Sequence, residues 1–369
     1  MVGTDLAGKG GVRAVVQGYI DGGLFDQVDC TYAATHRYGS PWTKVRAAVT
    51  GWARVALLLR RLDAPLVHVH LSANASFWRK SVVCLMARLA GRPYLLHVHS
   101  GFFPDFYERQ SGPLGRWLIR RIYGGAAVVI ALSEQWRSWI LRICATARVE
   151  VLANGVALAD LSRVRRPKPA EPTLLFLGDI NRSKGVFDLV RAVARASHEF
   201  PRLKLVCGGT GSLEELRRLS EELGLGDRLS CPGWLDAEHK RAELAGATIF
   251  VLPSYAEALP MALLEAMSWK LPVITTPVGG IPQVIEHEAN GLLVEPGDID
   301  GMAAAITRLV REPALREKLG GAARRTIERS YSLDASVERL IRVYRQFGLE
   351  PRANRHAGSL GPLAGAANR

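Results

Sequence analysis

Two glutamates, Glu257 and Glu265, are the residues whose types and spacing most clearly suggest chemistry. Pro260 lies between them and is followed by helix-forming residues, which predicts a helix with proline at its first position. Glu257 then precedes the helix N-terminus, and Glu265 lies about two turns inside, within roughly 80° of the same face. The backbone of Leu259 to Met261 lies between the two carboxylates. Its free amides, at the positive end of the helix dipole, suit a diphosphate.

Other candidate residues follow predicted strands or precede predicted helices. Lys184 stands in a loop between a strand and a helix, a place where most lysines are simply solvated. His97 and His99 end a strand and alternate toward the same face, so only one of them needs to reach a cleft. Gly10 and Gly11 precede a predicted helix and could bring backbone amides close to a phosphate or sugar, although a turn without function explains a glycine pair equally well.

Metal and covalent chemistry find little support in the sequence. There is no cluster of histidine, cysteine or aspartate with metal-ligand spacing and no Asp-x-Asp motif, which predicts a metal-independent site. No nucleophile with a nearby base is evident. Five scattered cysteines without a Cys-x-x-Cys pair predict reduced structural thiols in the cytoplasm.

Strand-like runs alternate with helix-like segments for most of the 369 residues, which is typical of parallel sheets covered on both sides. We therefore predict two doubly wound α/β domains facing a central cleft. The expected boundaries are a first domain at 1–160, a linker at 161–172, a second domain at 173–330, a helix at 331–350 that packs back on the first domain, and a disordered tail at 351–369. The predicted strands are Leu66–Leu71, Tyr94–Val98, Ala126–Leu132, Thr173–Leu177, Leu203–Cys207, Thr248–Leu252 and Pro272–Thr275.

Residues 1–4 supply only a stub for the first strand. Either the true start of the gene lies upstream, or the fold manages with a short first strand. We find no run of 18 uncharged apolar residues and no signal-peptide pattern, so neither a membrane span nor export is expected.

The net charge of +13 is concentrated in the first half of the chain. Residues 1–160 hold 19 lysines and arginines against 10 acidic residues, whereas the two classes balance from residue 169 onward. Nucleic acid or an anionic membrane surface could explain this excess. Tryptophans and apolar residues interleave with the basic ones in Trp42–Arg61, Phe77–Lys80 and Arg116–Arg121, which favours a membrane surface. Ordinary packing helices with solvated basic faces remain an equal alternative.

The segment from Val251 to Asp298 resembles the signature region of glycosyltransferase family 4, the retaining group 1 glycosyltransferases of GT-B fold. The resemblance extends over about residues 8 to 350 and is carried by several linked motifs. These motifs are Gly10-Gly11-Val12, Leu96 to Gly101, Asn154-Gly155-Val156, Lys184-Gly185, Pro253-Ser254, the glutamate pair, Leu264 to Met267, Pro272 to Ile274, Gly279 to Pro282, Asn290 to Val294 and Pro296 to Asp298.

The resemblance implies a role for each matching residue. Glu257 would hold the donor sugar hydroxyls, Glu265 the ribose, and Lys184 would neutralise the donor diphosphate without a metal ion. His99 would lie beside the donor sugar and the acceptor, and the leaving diphosphate would help to deprotonate the acceptor.

Two positions depart from the family pattern. Ala258 replaces the usual glycine, and Asp179 stands where the family places an arginine. Arg182 is a candidate substitute for that arginine, so Arg182→Ala should weaken donor binding.

These observations predict a cytoplasmic, peripheral membrane glycosyltransferase of polysaccharide biosynthesis. Its donor would be a nucleotide diphosphate sugar of UDP or GDP type, with no other cofactor, and its acceptor a lipid-linked saccharide. Removal of Arg116, Arg120 and Arg121 should reduce binding to anionic vesicles. An inactive nucleotide-sugar-binding scaffold and a nucleotide-sugar epimerase of the same fold are the alternatives. Nucleic acid is not an expected partner, because the basic half contains no recognisable binding module.

Overall fold

Two parallel six-stranded sheets with flanking helices form the two halves of the molecule. The computed structural model describes residues 1–8, 10–62, 66–163 and 172–351. Most of the predicted linker and nearly all of the predicted tail lie outside the described residues. The predicted architecture of two doubly wound sheets is confirmed, because every strand pairing between named strands is parallel.

The first sheet has the strand order β2-β1-β3-β4-β5-β6. Its strands are β1 Val2–Gly3, β2 Ala33–Ala34, β3 Val67–Leu71, β4 Tyr94–Val98, β5 Val128–Ala131 and β6 Val149–Val151. The helices of this half are α1 Gly11–Asp21, α2 Leu24–Gln27, α3 Pro41–Arg61, α4 Ala75–Leu89, α5 Phe103–Asp105, α6 Pro113–Gly124 and α7 Glu134–Ile143. Strands β3 and β4 are buried at all five positions, as expected for a parallel sheet covered on both faces.

The second sheet has the strand order β12-β11-β10-β7-β8-β9. Its strands are β7 Thr173–Leu177, β8 Lys204–Gly208, β9 Leu229–Gly233, β10 Ile249–Leu252, β11 Val273–Thr275 and β12 Leu292–Leu293. The helices that follow are α8 Val186–Ser197, α9 Leu213–Glu222, α10 Ala237–Gly246, α11 Met261–Ser268, α12 Ile299–Arg311, α13 Pro313–Thr326 and α14 Leu333–Arg345. This is the order of a Rossmann sheet, in which the chain reverses direction between β7 and β10.

Helix α14 follows the second sheet in the chain but packs on the first half. Its Val337, Leu340 and Tyr344 share a buried apolar cluster with Tyr19 of α1 and Val128 of β5. The segment before α14 returns to the first half beside Val156. The Val156 amide donates to the carbonyl of Tyr331 (3.0 Å), and the Leu333 amide donates to the carbonyl of Val156 (2.9 Å). These two backbone segments are therefore hydrogen-bonded to each other.

Helix α11 begins one residue later than predicted. Pro260 has extended backbone angles (φ −73°, ψ 123°) and caps the helix, so Met261 is the first helical residue. Across the described ranges, no helix combines the length and apolarity needed to cross a bilayer.

Candidate active site

Lys184 and Glu257 meet at the point where the second sheet reverses direction. Lys184 follows β7 and Glu257 follows β10, and these two strands are neighbours in the sheet. In open α/β sheets, ligands bind outside the carboxyl ends of the strands at such a reversal. The topology therefore brings these two predicted residues into one site.

The two side chains form a short, largely buried ion pair. The Lys184 ammonium donates to Oε1 of Glu257 at 2.6 Å, and the side chains are 20% and 8% exposed. The hydroxyl of Ser254 donates to the same oxygen at 2.7 Å. In the described part of the chain, the hydrogen bonds to this carboxylate all go to Oε1, so Oε2 keeps its capacity to accept from a ligand hydroxyl.

Close backbone packing fixes the Lys184 loop against the Glu257 loop. Gly185 has φ 67°, and a Cβ there would lie 2.0 Å from the carbonyl oxygen of Pro253. The Tyr255 amide donates to the carbonyl of Ser183 at 2.8 Å. The Asn181 side chain caps the short helical turn before Gly185 by accepting from the Lys184 amide at 3.1 Å. Lys184 is thus positioned by its loop as well as by its charged partner.

Arg182 does not join the Lys184–Glu257 pair. Its guanidinium forms an ion pair with Glu215 of α9 at 2.5 Å, and its side chain is 76% exposed. It also lies over the ring of Phe187, 5.3 Å from the centroid. Asp179, which departs from the family pattern, lies near Tyr38 of the first half. Burial and, to a smaller extent, the Asp179 carboxylate raise the pKa of the Tyr38 phenol.

The N-terminus of α11 presents backbone amides beside Glu257. No side chain caps this helix end, so the first-turn amides that begin at Met261 are available to an anion. Leu259 and Pro260 are buried beneath it. Glu265 lies on the same helix, and its Oε1 accepts from the ammonium of Lys240 at 2.7 Å.

Residues of the first half close around the Glu257 loop. A Cβ on Gly101 would lie 2.5 Å from the carbonyl carbon of Glu257. Trp136 of α7 donates its indole N–H to the carbonyl of Ala258 at 3.3 Å, and the side-chain amide of Asn154 donates to the carbonyl of Leu259 at 3.0 Å. The site therefore lies between the two sheets.

His99 follows β4, two residues before Gly101, and packs on other imidazoles. Its Nε2 lies 2.9 Å from Nδ1 of His70, and its ring stacks on the His70 ring at a centroid distance of 5.1 Å. Burial lowers the pKa of His99 well below the usual range, with smaller contributions from His97, His68 and Lys80. Burial thus favours the neutral form of this imidazole.

The prediction that no histidines cluster with metal-ligand spacing was wrong. Parallel pairing places His70 opposite His97, and His68, His70 and His97 offer nitrogens within 4.8 Å of one another. However, the rings of His68 and His70 stack at 4.3 Å with only 18° between their planes. Since lone pairs lie in the ring plane, stacked rings cannot both direct a nitrogen to one ion at about 2.0 Å. The imidazoles instead form two hydrogen-bonded pairs, His68 with His97 at 3.3 Å and His70 with His99 at 2.9 Å. Metal independence stays a prediction.

Gly10 directly precedes α1, and Gly11 is the first residue of the helix. A Cβ on Gly11 would meet nothing within 4 Å, whereas one on Gly10 would lie 3.1 Å from the hydroxyl of Tyr38. Gly10 has φ 108°, in the region that favours glycine, and no side chain caps the helix. These glycines thus present a second uncapped helix N-terminus, close to the Tyr38 that Asp179 approaches.

Several contacts of the site were missed because they depend on tertiary packing. The sequence gives no signal for the roles of Lys240, Trp136 and His70, because each residue and its partner lie in different parts of the chain. Ser254 stands in the quoted motif directly before the Glu257 loop, so its position could have suggested a contact.

Comparison with known proteins identifies the family. Residues 160–326 match the family described as glycosyl transferases group 1, and residues 10–155 match the glycosyl transferase 4-like domain. A glycosyltransferase of Methanocaldococcus jannaschii is 30% identical over 69% of this chain and 69% of its own length. This chain belongs to the group 1 glycosyltransferases.

Two other proteins are similar to this glycosyltransferase over most of its length. The alpha-D-kanosaminyltransferase of Streptomyces kanamyceticus is 29% identical over 82% of this chain and 84% of its own. The crystal structure of Anabaena HepE in complex with UDP-glucose superposes with a TM-score of 0.76, at 16% identity, over 94% of this chain and 98% of the other. That likeness shows the fold, and it confirms the predicted GT-B architecture.

Proposed function

We propose that this glycosyltransferase transfers a sugar from a nucleotide diphosphate sugar to a lipid-linked saccharide, with retention at the anomeric carbon and without a metal ion. The product would extend a polysaccharide at the inner face of the cell membrane. The observation that carries the proposal is the Lys184–Glu257 pair, 2.6 Å long, beside the uncapped N-terminus of α11.

The charges of the site suit the two ends of such a donor. The ammonium of Lys184 has three N–H groups, so it can donate to Glu257 and to a diphosphate oxygen at once. The first-turn amides of α11 add donors and the positive end of a helix dipole. Oε2 of Glu257 can accept from sugar hydroxyls, and the free oxygen of Glu265 can accept from a ribose.

In the proposed reaction, the bond between the anomeric carbon and the diphosphate oxygen breaks and a bond to the acceptor hydroxyl oxygen forms. Negative charge develops on the leaving nucleoside diphosphate, where Lys184 and the α11 amides stabilise it. The acceptor proton passes to an oxygen of that diphosphate. Neutral His99 would donate or accept a hydrogen bond beside the reacting sugar.

The test begins with a thermal-shift panel of UDP- and GDP-sugars, because a ligand that binds only the native state raises Tm by mass action. For the donor that binds, nucleoside diphosphate release is then measured. Glu257→Gln should lower kcat/KM by about 10- to 100-fold, since hydrogen bonds to a charged group are lost. Glu222→Gln, an exposed position of α9, is the matched control and should retain wild-type kinetics.

The outcomes separate the alternatives. Radiolabelled sugar that partitions into an organic phase with the acceptor supports a lipid-linked product. Donor binding without transfer indicates a scaffold, and isomerised donor formed without acceptor indicates an epimerase. Either result, or no binding across the panel, would overturn the proposal.

A further inference from the structure

A cavity of about 680 Å³ lies at the amino ends of β4 and β5, on the edge of the first sheet opposite the active site. Four arginines, Arg88, Arg92, Arg120 and Arg121, line it, and no acidic residue does. Arg88, Arg120 and Arg121 form no ion pair with a carboxylate in the described part of the chain. The cavity is therefore strongly cationic.

Helix dipoles offset only part of this positive charge. Helices α4 and α6 both end here, with Arg88 and Arg121 in their last turns. Each C-terminus carries roughly half a negative charge, so the two helices offset about one positive charge. Counting only Arg88, Arg120 and Arg121, an excess of about two positive charges remains for an anionic ligand.

Exposed apolar side chains lie along the same two helices. Leu85 and Leu89 of α4 are 56% and 80% exposed, and Leu114 and Trp117 of α6 are 70% and 45% exposed. On α6, Leu114, Trp117 and Arg121 share one face, and the guanidinium of Arg121 lies over the Trp117 ring at 5.4 Å. A cationic pocket beside a tryptophan and leucines matches the interface of a bilayer, where headgroup phosphates adjoin acyl chains.

We propose that this arginine cavity binds the phosphate of an anionic phospholipid, with Leu89, Leu114 and Trp117 entering the interface of the bilayer. Guanidinium groups pair with phosphate oxygens through two parallel N–H bonds, which favours arginine over lysine here. This inference rests on the proposed function and deepens it, because a membrane-binding surface would bring the enzyme to a lipid-linked acceptor.

The surface is separable from the donor site. Strand β4 has five residues at about 3.3 Å each, which places the cavity roughly 17 Å from the carboxyl edge of the sheet. Changes at the cavity should therefore leave donor binding intact.

The set of arginines differs from the one expected from the sequence. Arg116 donates to the backbone carbonyls of Tyr107 (3.0 Å) and Ser111 (2.9 Å). Its guanidinium thus holds the turn before α6, and loss of Arg116 would perturb structure as well as charge. Arg88 takes its place in the test.

Flotation with vesicles of phosphatidylcholine plus phosphatidylglycerol, and of phosphatidylcholine alone, tests the proposal. The triple variant Arg88→Ser/Arg120→Ser/Arg121→Ser should bind the anionic vesicles on the order of 100-fold more weakly, at about fivefold per arginine. The control Arg202→Ser/Arg218→Ser/Arg325→Ser removes the same charge from exposed positions of the second half and should bind like wild type.

A second arm separates insertion from charge. Leu89→Ser/Trp117→Ser should weaken binding to anionic vesicles while the arginines remain. Equal binding by the triple variant and its control would overturn the proposal. If inorganic phosphate raised the Tm of the protein and no vesicles were bound, the cavity would be assigned to free phosphate. That outcome would also overturn the proposal. The nucleotide-sugar thermal shift reports on the donor site independently of both arms.

Discussion

At the scale of single residues, the site depends on a charge pair that is mostly removed from water. A largely buried carboxylate is costly unless it is paired and hydrogen-bonded. Glu257 satisfies this condition through Lys184 and Ser254, which both donate to Oε1. The pair thus has a structural role before any donor binds.

Removing only the cation should be worse than removing both charges. Lys184→Met leaves a buried carboxylate without its main partner and should lower the free energy of unfolding by about 1–3 kcal/mol. The double variant Lys184→Met/Glu257→Gln should recover most of that loss. Urea unfolding of both variants and of Glu257→Gln measures the coupling. Additive effects of the two single changes would show that the pair contributes nothing.

At the scale of elements, the site depends on loops that approach each other more closely than side chains would allow. Gly185 packs on Pro253, and Gly279 (φ 57°) packs so closely on Glu257 that a Cβ would lie 1.8 Å from its carbonyl oxygen. Gly185 and Gly279, two glycines of the family motifs, are therefore explained by close contact with the segment from Pro253 to Glu257. Precise placement of two loops, rather than any one contact, brings Lys184 to the carboxylate.

Gly185→Ala should separate this packing effect from backbone strain. The new Cβ would overlap the Pro253 carbonyl, so we expect a loss of several kcal/mol in unfolding free energy and weaker donor binding. Gly224→Ala is the matched control, because Gly224 has a similar φ of 68° but open space around it. The control should lose only about 1–2 kcal/mol and keep its donor affinity. Similar losses in both variants would mean that the contact with Pro253 is unimportant.

Long, regular elements could be predicted from the sequence, whereas short ones and cross-strand contacts could not. Tyr94–Val98 and Thr173–Leu177 are found as predicted, since a short and mostly apolar run signals a buried strand. Two-residue strands such as Ala33–Ala34 carry no periodicity. The glutamate motif identified one side of the site, but the positions of Arg182 and His70 depend on which residues face them across the fold.

At the scale of the whole molecule, the stability of the first half depends on keeping buried histidines neutral. Burial lowers the pKa of His97 to about 3, and it lowers the pKa of His68 and His70 well below the usual range. In the unfolded chain these groups titrate near 6.5. The contribution of these histidines to the free energy of unfolding is therefore fully present above pH 6.5. It is lost as pH falls toward 3, because the unfolded chain takes up more protons than the folded one.

Urea unfolding at pH 7.5 and pH 5.5 should reveal this dependence. Each buried histidine should cost about 1.4 kcal/mol per pH unit below its unfolded pKa. His97→Asn should reduce the slope of stability against pH, whatever its effect at neutral pH. His198→Gln, at an exposed position, should leave the slope unchanged. An unaltered slope in His97→Asn would contradict the prediction.

The return of α14 to the first half has a consequence for recombination between relatives. This helix is encoded after the second sheet, but the apolar face that it buries is shared with Tyr19 and Val128. A chimera joined only near residue 160 would pair the first half of one parent with the α14 of another. Exchange of the second half should succeed best with two junctions, the other one just after Tyr331, so that each core keeps its own helix.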